Sequence, residues 1–197
     1  MREVELKSVV DNLRMRCQAV EQHGATHIFT GQLEDRRYDT PDRSLAARDH
    51  VLRVRIYRDA VHTRAELDFK GPTSLEHGYK VREELGTELL DADAIVAMLD
   101  RLGYEVTMTI DRDIVQYDLD GAMIRFETYP RMDDLVEVEG SPEQIERAIA
   151  VLGLPRAGFV SDRLSDFARR FEERTGEGAA VSQAALATGI RYVAANG

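Results

Sequence analysis

The feature that most restricts how this chain can fold is an alternation repeated along it: charged residues on one face of a strand, aliphatic residues on the other. In "REVELK", Glu3, Glu5 and Lys7 oppose Val4 and Leu6, and in "LRVR" Arg53 and Arg55 oppose Val54 and Ile56. Glu66, Asp68 and Lys70 share a face in "ELDFKGP", and Lys80, Arg82 and Glu84 share one in "YKVREEL". Arg125 pairs with Glu127 in "MIRFET", and Glu137 with Glu139 in "LVEVEG". A single strand of this kind is an ordinary sandwich strand with one wet face. Recurrence on strand after strand, with Arg and Glu each repeating at i and i+2, points instead to a barrel. Its apolar faces pack outward against helices, and its charged faces meet inside.

The order of elements agrees. After the first strand, Asp11 is placed to cap a helix carrying Leu13, Cys17 and Val20, with Gly24 ending it. Extended segments follow near 26–38, 50–58, 62–70 and 79–85. Asp91 caps a second helix with Ile95, Met98, Leu99 and Leu102 on one face, closed by Gly103. Strands resume near 104–118, 122–129 and 135–140, and "SPEQ" supplies the cap, first-turn proline and capping-box glutamine of a third helix. A fourth helix is expected from Asp162 to Arg174. One constant offset carries Glu5, Gly24, Tyr38 and Asp39 onto Glu84, Gly103, Tyr117 and Asp118, and another carries "LRVRIY" onto "IRFETY". Two related halves are implied. The expected fold is α+β: a closed eight-stranded antiparallel β tunnel with helices packed outside, formed by residues 1–174 as one domain. The Gly- and Ala-rich tail, 175–197, is expected to be mobile.

Composition removes several function classes. A net charge of -10 opposes nucleic acid or an anionic membrane as the main partner. No apolar run reaches bilayer length and the start lacks the apolar core of a secretion signal, so a cytoplasmic location is expected. The single Cys17 reads as a core residue, and the five His have no zinc spacing.

Charges enclosed in a tunnel need compensation, because burying an isolated ion costs several kcal/mol as an order of magnitude. Guanidinium and ammonium groups find it in a polyanion, and clustered carboxylates in a hard divalent cation. Together they describe a metal-bound polyphosphate.

At these residues the chain resembles the CYTH, or triphosphate tunnel metalloenzyme, superfamily, with Glu3, Glu5 and Lys7 as its N-terminal ExExK signature. The resemblance continues through "DRRYDTPDRSLAARDHVLRVR", "FKGP", "VREEL", "DRDIVQYDL" and "VEVEG". It implies that Glu3, Glu5, Glu137 and Glu139 bind Mg2+ or Mn2+. Lys7, Arg53, Arg55, Lys70, Arg82, Arg112 and Arg125 would hold a triphosphate, and Lys7, Glu84 and Glu127 would serve catalysis. Four features depart from the family pattern: Phe126-Glu127 replaces a central Leu-Asp, Arg125 adds an inward cation where a small or apolar residue is common, Asp68 stands where Thr is common, and Asp162-Arg163 replaces a Ser-Tyr pair. The branch most resembled is the class IV adenylyl cyclases, which convert ATP to cyclic AMP and pyrophosphate and are commonly homodimers. The alternatives are an inorganic or thiamine triphosphate hydrolase, and a module that binds a polyphosphate or nucleotide without turnover.

Overall fold

A computed structural model describes residues 2–189 of the chain. Nine strands form one sheet in the order β1 (Arg2–Val9), β9 (Leu135–Glu139), β8 (Ala122–Thr128), β7 (Glu105–Leu119), β2 (Thr26–Asp39), β3 (Val51–Arg58), β4 (Thr63–Lys70), β6 (Tyr79–Leu89), β5 (Ser74–Glu76). Antiparallel pairing of β1 with β6, in register Glu3 to Arg82 and Glu5 to Lys80, closes eight of them into a barrel. The short β5 folds back on β6 through His77 and Gly78, both at positive φ, and was not foreseen. The eight-stranded antiparallel tunnel expected from the alternation is therefore the fold.

The two halves follow one plan. Each runs strand, helix, then three strands: β1, α1 (Leu13–Gln22), β2, β3, β4, and β6, α2 (Ala92–Arg101), β7, β8, β9. Their matching strands meet at both seams, β1 against β6 and β2 against β7. Gly24 and Gly103 end the two helices with φ of +85° and +84°, a left-handed turn that costs glycine no Cβ clash.

Helices cover the apolar outer faces. α1 and α3 (Pro142–Leu152) pack on Leu6, Ile124, Phe126, Val136 and Val138, all essentially inaccessible. α2 covers Val54, Ile56 and Ala65 through Leu99 and Ile95. Burying each such aliphatic or aromatic side chain stabilises the fold by roughly 1.5–3 kcal/mol. Ser141 and Gln144 form the expected capping box of α3, and Asp91 caps α2. At α1 the cap is Asn12, whose Oδ1 accepts the Met15 N–H at 3.0 Å. The expected cap, Asp11, lies one residue too early and instead accepts from the Asn12 N–H and from Arg16 Nε, at 2.7 and 2.8 Å.

The C-terminal segment differs from expectation where it is described. α4 (Leu164–Thr175) is followed by residues that return to the barrel: Arg131 and Ala180 exchange backbone hydrogen bonds of 3.0 and 2.8 Å, and Asp111 N–H donates to Val181 O at 2.8 Å. Ala179, Ala180 and Val181 are buried, and the first and last of them pack with Phe167 and Ala168 against Ile110, Tyr129 and Leu135. A short helix, α5 (Gln183–Thr188), follows. Small residues that composition marks as loose thus complete a cluster, while the rest of the tail, 190–197, lies outside the described residues. Val181→Asp places an unpaired charge in that cluster and is expected to destabilise the protein by about 3 kcal/mol. A denaturant midpoint unchanged from wild type would show that the segment does not dock.

Candidate functional site

Inside the barrel the alternation delivers a lattice of buried ions. Directly opposed residues on neighbouring strands point to the same side, so Asp35 meets Arg55 across β2–β3, Arg53 meets Asp68 across β3–β4, and Arg125 meets Glu137 across β8–β9. Lys7, Lys70, Arg53, Arg55, Arg82, Arg112 and Arg125 all border a cavity of about 380 Å³ in the barrel's interior. Toward the β3–β4 hairpin the interior is filled by Leu33, Tyr57 and Ile114. The structure thus brings together every cation singled out in the sequence.

Most of these cations already have carboxylate partners. Asp35, fully buried, receives Arg112 Nη2 at 2.6 Å and Arg55 Nε at 3.1 Å, with Arg53 Nε at 3.8 Å. Asp68 accepts Arg53 Nε at 3.0 Å and lies 3.4 Å from Arg55. Gly86 makes room for it, since a Cβ there would stand 2.9 Å from Asp68 Oδ1. Glu127 lies 3.0 Å from Arg125 and 3.1 Å from Arg112, and accepts the Tyr129 hydroxyl at 2.6 Å. Burial alone would raise the pKa of Asp35, but the surrounding guanidinium groups, Arg112 first, hold it well below the usual range. Each guanidinium carries five N–H donors, so carboxylates that fix one part of the fork leave others for a ligand. Arg82 is held differently, donating to Gly71 O at 2.7 Å and Asp49 O at 2.6 Å. Burial lowers its pKa, and the charge of Arg163 adds to that effect.

Asp35 was not singled out in the sequence. It sits in "EDRR", where four consecutive charges hide which face each residue takes; only the alternating frame Leu33, Asp35, Arg37 would have selected it.

The carboxylates divide into two groups. Glu5 and Glu137 are neutralised: Glu5 contacts Lys80 and lies 3.4 Å from Lys7, and Glu137 contacts Lys7 and Arg125. Burial and Glu137 push the Glu5 carboxyl up, yet Lys7, Lys80 and Lys70 outweigh them and hold it at about 2. For Lys7, burial opposes the charge but Glu137 and Glu5 raise its pKa, so it is a fixed cation. Glu3, Glu84 and Glu139, from β1, β6 and β9, instead converge, each offering an oxygen within 4.8 Å of the others. The sequence placed Glu3 and Glu139 in a metal set and Glu84 beside it.

This second group fits a divalent cation. Glu3 Oε2 is buried without a hydrogen-bond partner, and hard carboxylate oxygens at this spacing suit Mg2+ or Mn2+. Burial, then the neighbouring Glu3 and Glu137, raise Glu139 to about 7. Burial, then Glu5, also raises Glu3, and burial lowers its partner Lys70, so desolvation draws that pair toward its neutral forms.

Two predictions follow from these contacts. Asp35→Ala strands several buried guanidinium groups and is expected to cost roughly 3–5 kcal/mol, read from denaturant unfolding. The second concerns pH. Folded protein holds the Glu139 proton more tightly than the unfolded chain, whose carboxyl titrates near 4.5, so this stabilisation is complete below about pH 4.5 and lost as pH rises through about 7. Without metal, Glu139→Gln should therefore melt above the wild type at pH 8 and level with it at pH 4.5. Magnesium should raise the wild-type melting temperature at pH 8 and leave that of Glu139→Gln nearly unmoved.

Comparison with known proteins agrees with this geometry. No curated protein sequence matches the chain significantly. A proposed adenylate cyclase from Vibrio parahaemolyticus superposes with a TM-score of 0.71 at 23% identity, covering 84% of this chain and 96% of its own. The PH1819 protein of Pyrococcus horikoshii gives 0.68 at 25% identity, with 82% and 94% covered. A Hippeastrum protein, HpAC1, described as a proposed adenylyl cyclase with dominant triphosphatase activity, gives 0.60 at 18% identity, with 89% and 95% covered. Residues 1–145 match the CYTH domain. With that match spanning most of a barrel lined by paired cations and carboxylates, the chain belongs to the CYTH domain family.

Proposed function

We propose that the protein is a metal-dependent enzyme acting on a triphosphate held in the tunnel, and that its reaction is that of a class IV adenylyl cyclase, ATP to cyclic AMP and pyrophosphate. The observation that carries this reading is one cavity in the barrel interior bordered by the seven expected cations, with an under-compensated carboxylate cluster on strands of the same barrel.

Glu3, Glu84 and Glu139 would hold Mg2+ or Mn2+; Glu5 and Glu137, expected from the resemblance to share this task, would first have to exchange their lysine and arginine partners. The metal, when bound, would neutralise phosphoryl oxygens and draw charge from the leaving pyrophosphate. The chain's own groups do the rest. Arg53, Arg55, Arg112 and Arg125 present donors fixed by Asp35, Asp68, Glu127 and Glu137, so stabilising the charge that develops requires little reorganisation. Lys7 and Lys70 supply compact positive charge, and Arg82 holds the chain nearer the rim. Glu127, ionised and bound to two guanidinium groups, serves best as their anchor. In cyclisation the ribose 3'-hydroxyl oxygen attacks the α phosphorus, its bond to the pyrophosphate oxygen breaks, and the hydroxyl proton passes to the carboxylate cluster. There Lys70 and Arg53 keep Glu84 ionised against the effect of burial.

A second reading, hydrolysis of inorganic or thiamine triphosphate by water, draws support from the dominant triphosphatase activity described for the Hippeastrum protein. Binding without turnover leaves the carboxylate cluster without a use. Neither a nucleic acid nor a bilayer is required, and among the described residues no helix is long and apolar enough to cross a membrane.

Incubation with ATP, inorganic triphosphate and thiamine triphosphate, each with magnesium or manganese, separates the readings by product. Cyclic AMP with pyrophosphate supports the cyclase, orthophosphate the hydrolase, and no product from any of them overturns both. Glu3→Ala should abolish metal-dependent turnover in a folded protein. Arg55→Ala should weaken triphosphate binding roughly 10- to 100-fold by calorimetry, the effect of removing a charge-assisted hydrogen bond.

A further inference from the structure

Arg163 breaks the family pattern in the sequence, and the structure sets it at the tunnel mouth. It is the residue before α4, its backbone N–H fixed by Asp166 at 3.1 Å, and its side chain borders the same cavity as the buried cations. Its Nη2 reaches across to Asp49 Oδ1 at 3.1 Å. Asp49 caps the short helical turn Ala46–Arg48 in the loop between β2 and β3, in a left-handed conformation, φ 54°, and its other carboxylate oxygen accepts the Thr73 N–H at 2.7 Å. The carbonyl of the same residue accepts Arg82 Nη2. One aspartate therefore keeps two guanidinium groups side by side, Arg82 on the tunnel side and Arg163 at the rim.

The two differ in how firmly they are held. Arg53, Arg55, Arg112 and Arg125 have side chains no more than 10% exposed and lie against buried carboxylates. Arg163 is 65% exposed and its partner Asp49 34%. Exposed pairs of this kind contribute little, so Arg163 can leave Asp49 for a phosphate oxygen at small cost.

We propose that Arg163 determines specificity for phosphate-chain length, binding the phosphoryl group nearest the mouth once the inner groups occupy the buried cations. The proposal rests on the tunnel being a polyphosphate site. It names the class of substrate favoured there, a chain of at least three phosphates that reaches the rim, over a shorter one lying wholly within.

The test is calorimetric titration of wild type and Arg163→Met with inorganic pyrophosphate, tripolyphosphate and tetrapolyphosphate, with chelator and with magnesium. Arg163→Met should bind pyrophosphate within twofold of wild type and the two longer chains roughly tenfold more weakly, with Arg163→Lys between. Its melting temperature should stay within about 2 °C of wild type, as loss of an exposed pair predicts. Equal weakening at all three lengths, no weakening at any, or a lowered melting temperature overturns the assignment while leaving the tunnel reading intact. Wild type binding none of the three chains in either condition overturns the tunnel reading itself.

Discussion

Everything in this molecule depends on the mutual neutralisation of charges that the barrel forces inward. Period-two alternation and closure leave Arg53, Arg55, Arg112 and Arg125 little contact with water, so each finds a carboxylate on a neighbouring strand. Asp35, Asp68, Glu127 and Glu137 answer that need. Stability and function are coupled through those contacts. The ion pairs that make burial tolerable also aim the remaining guanidinium donors, so orienting them needs no separate framework.

The exception is equally informative. Where carboxylates outnumber their cations, at Glu3, Glu84 and Glu139, desolvation wins and raises two of the three pKa values. A folded protein that keeps such a cluster retains a place where a divalent cation would stabilise it. A compensated girdle beside an under-compensated corner is an arrangement that a metal-bound polyanion would satisfy and that a plain anion trap would not need.

Much of this was legible in the sequence because alternation is a local signal. Strand faces, the α3 capping box and the doubled plan of the chain could be read from residues a few positions apart or at a fixed offset. What escaped depends on distant geometry. Glu84, not Glu5 or Glu137, completes the carboxylate cluster because the stagger between barrel strands decides which alternating side chains meet, and stagger is not written in any one strand. Asp35 was masked by charges on both of its flanks. The docking of Ala179 and Val181 was invisible because small residues signal burial only through what they fit against, here Ile110, Tyr129 and Leu135.

The β1 seam has a consequence for synthesis. β1 leaves the ribosome before either strand it pairs with, β6 and, further still, β9. Until residue 139 has emerged, the segment bearing Glu3 and Glu5 has an open edge on at least one side, and the barrel cannot shut. Closure over such a sequence separation is slow and leaves a nascent edge available to neighbouring chains. The alternating charges of "REVELK" then act before any ligand is met, keeping that waiting strand soluble.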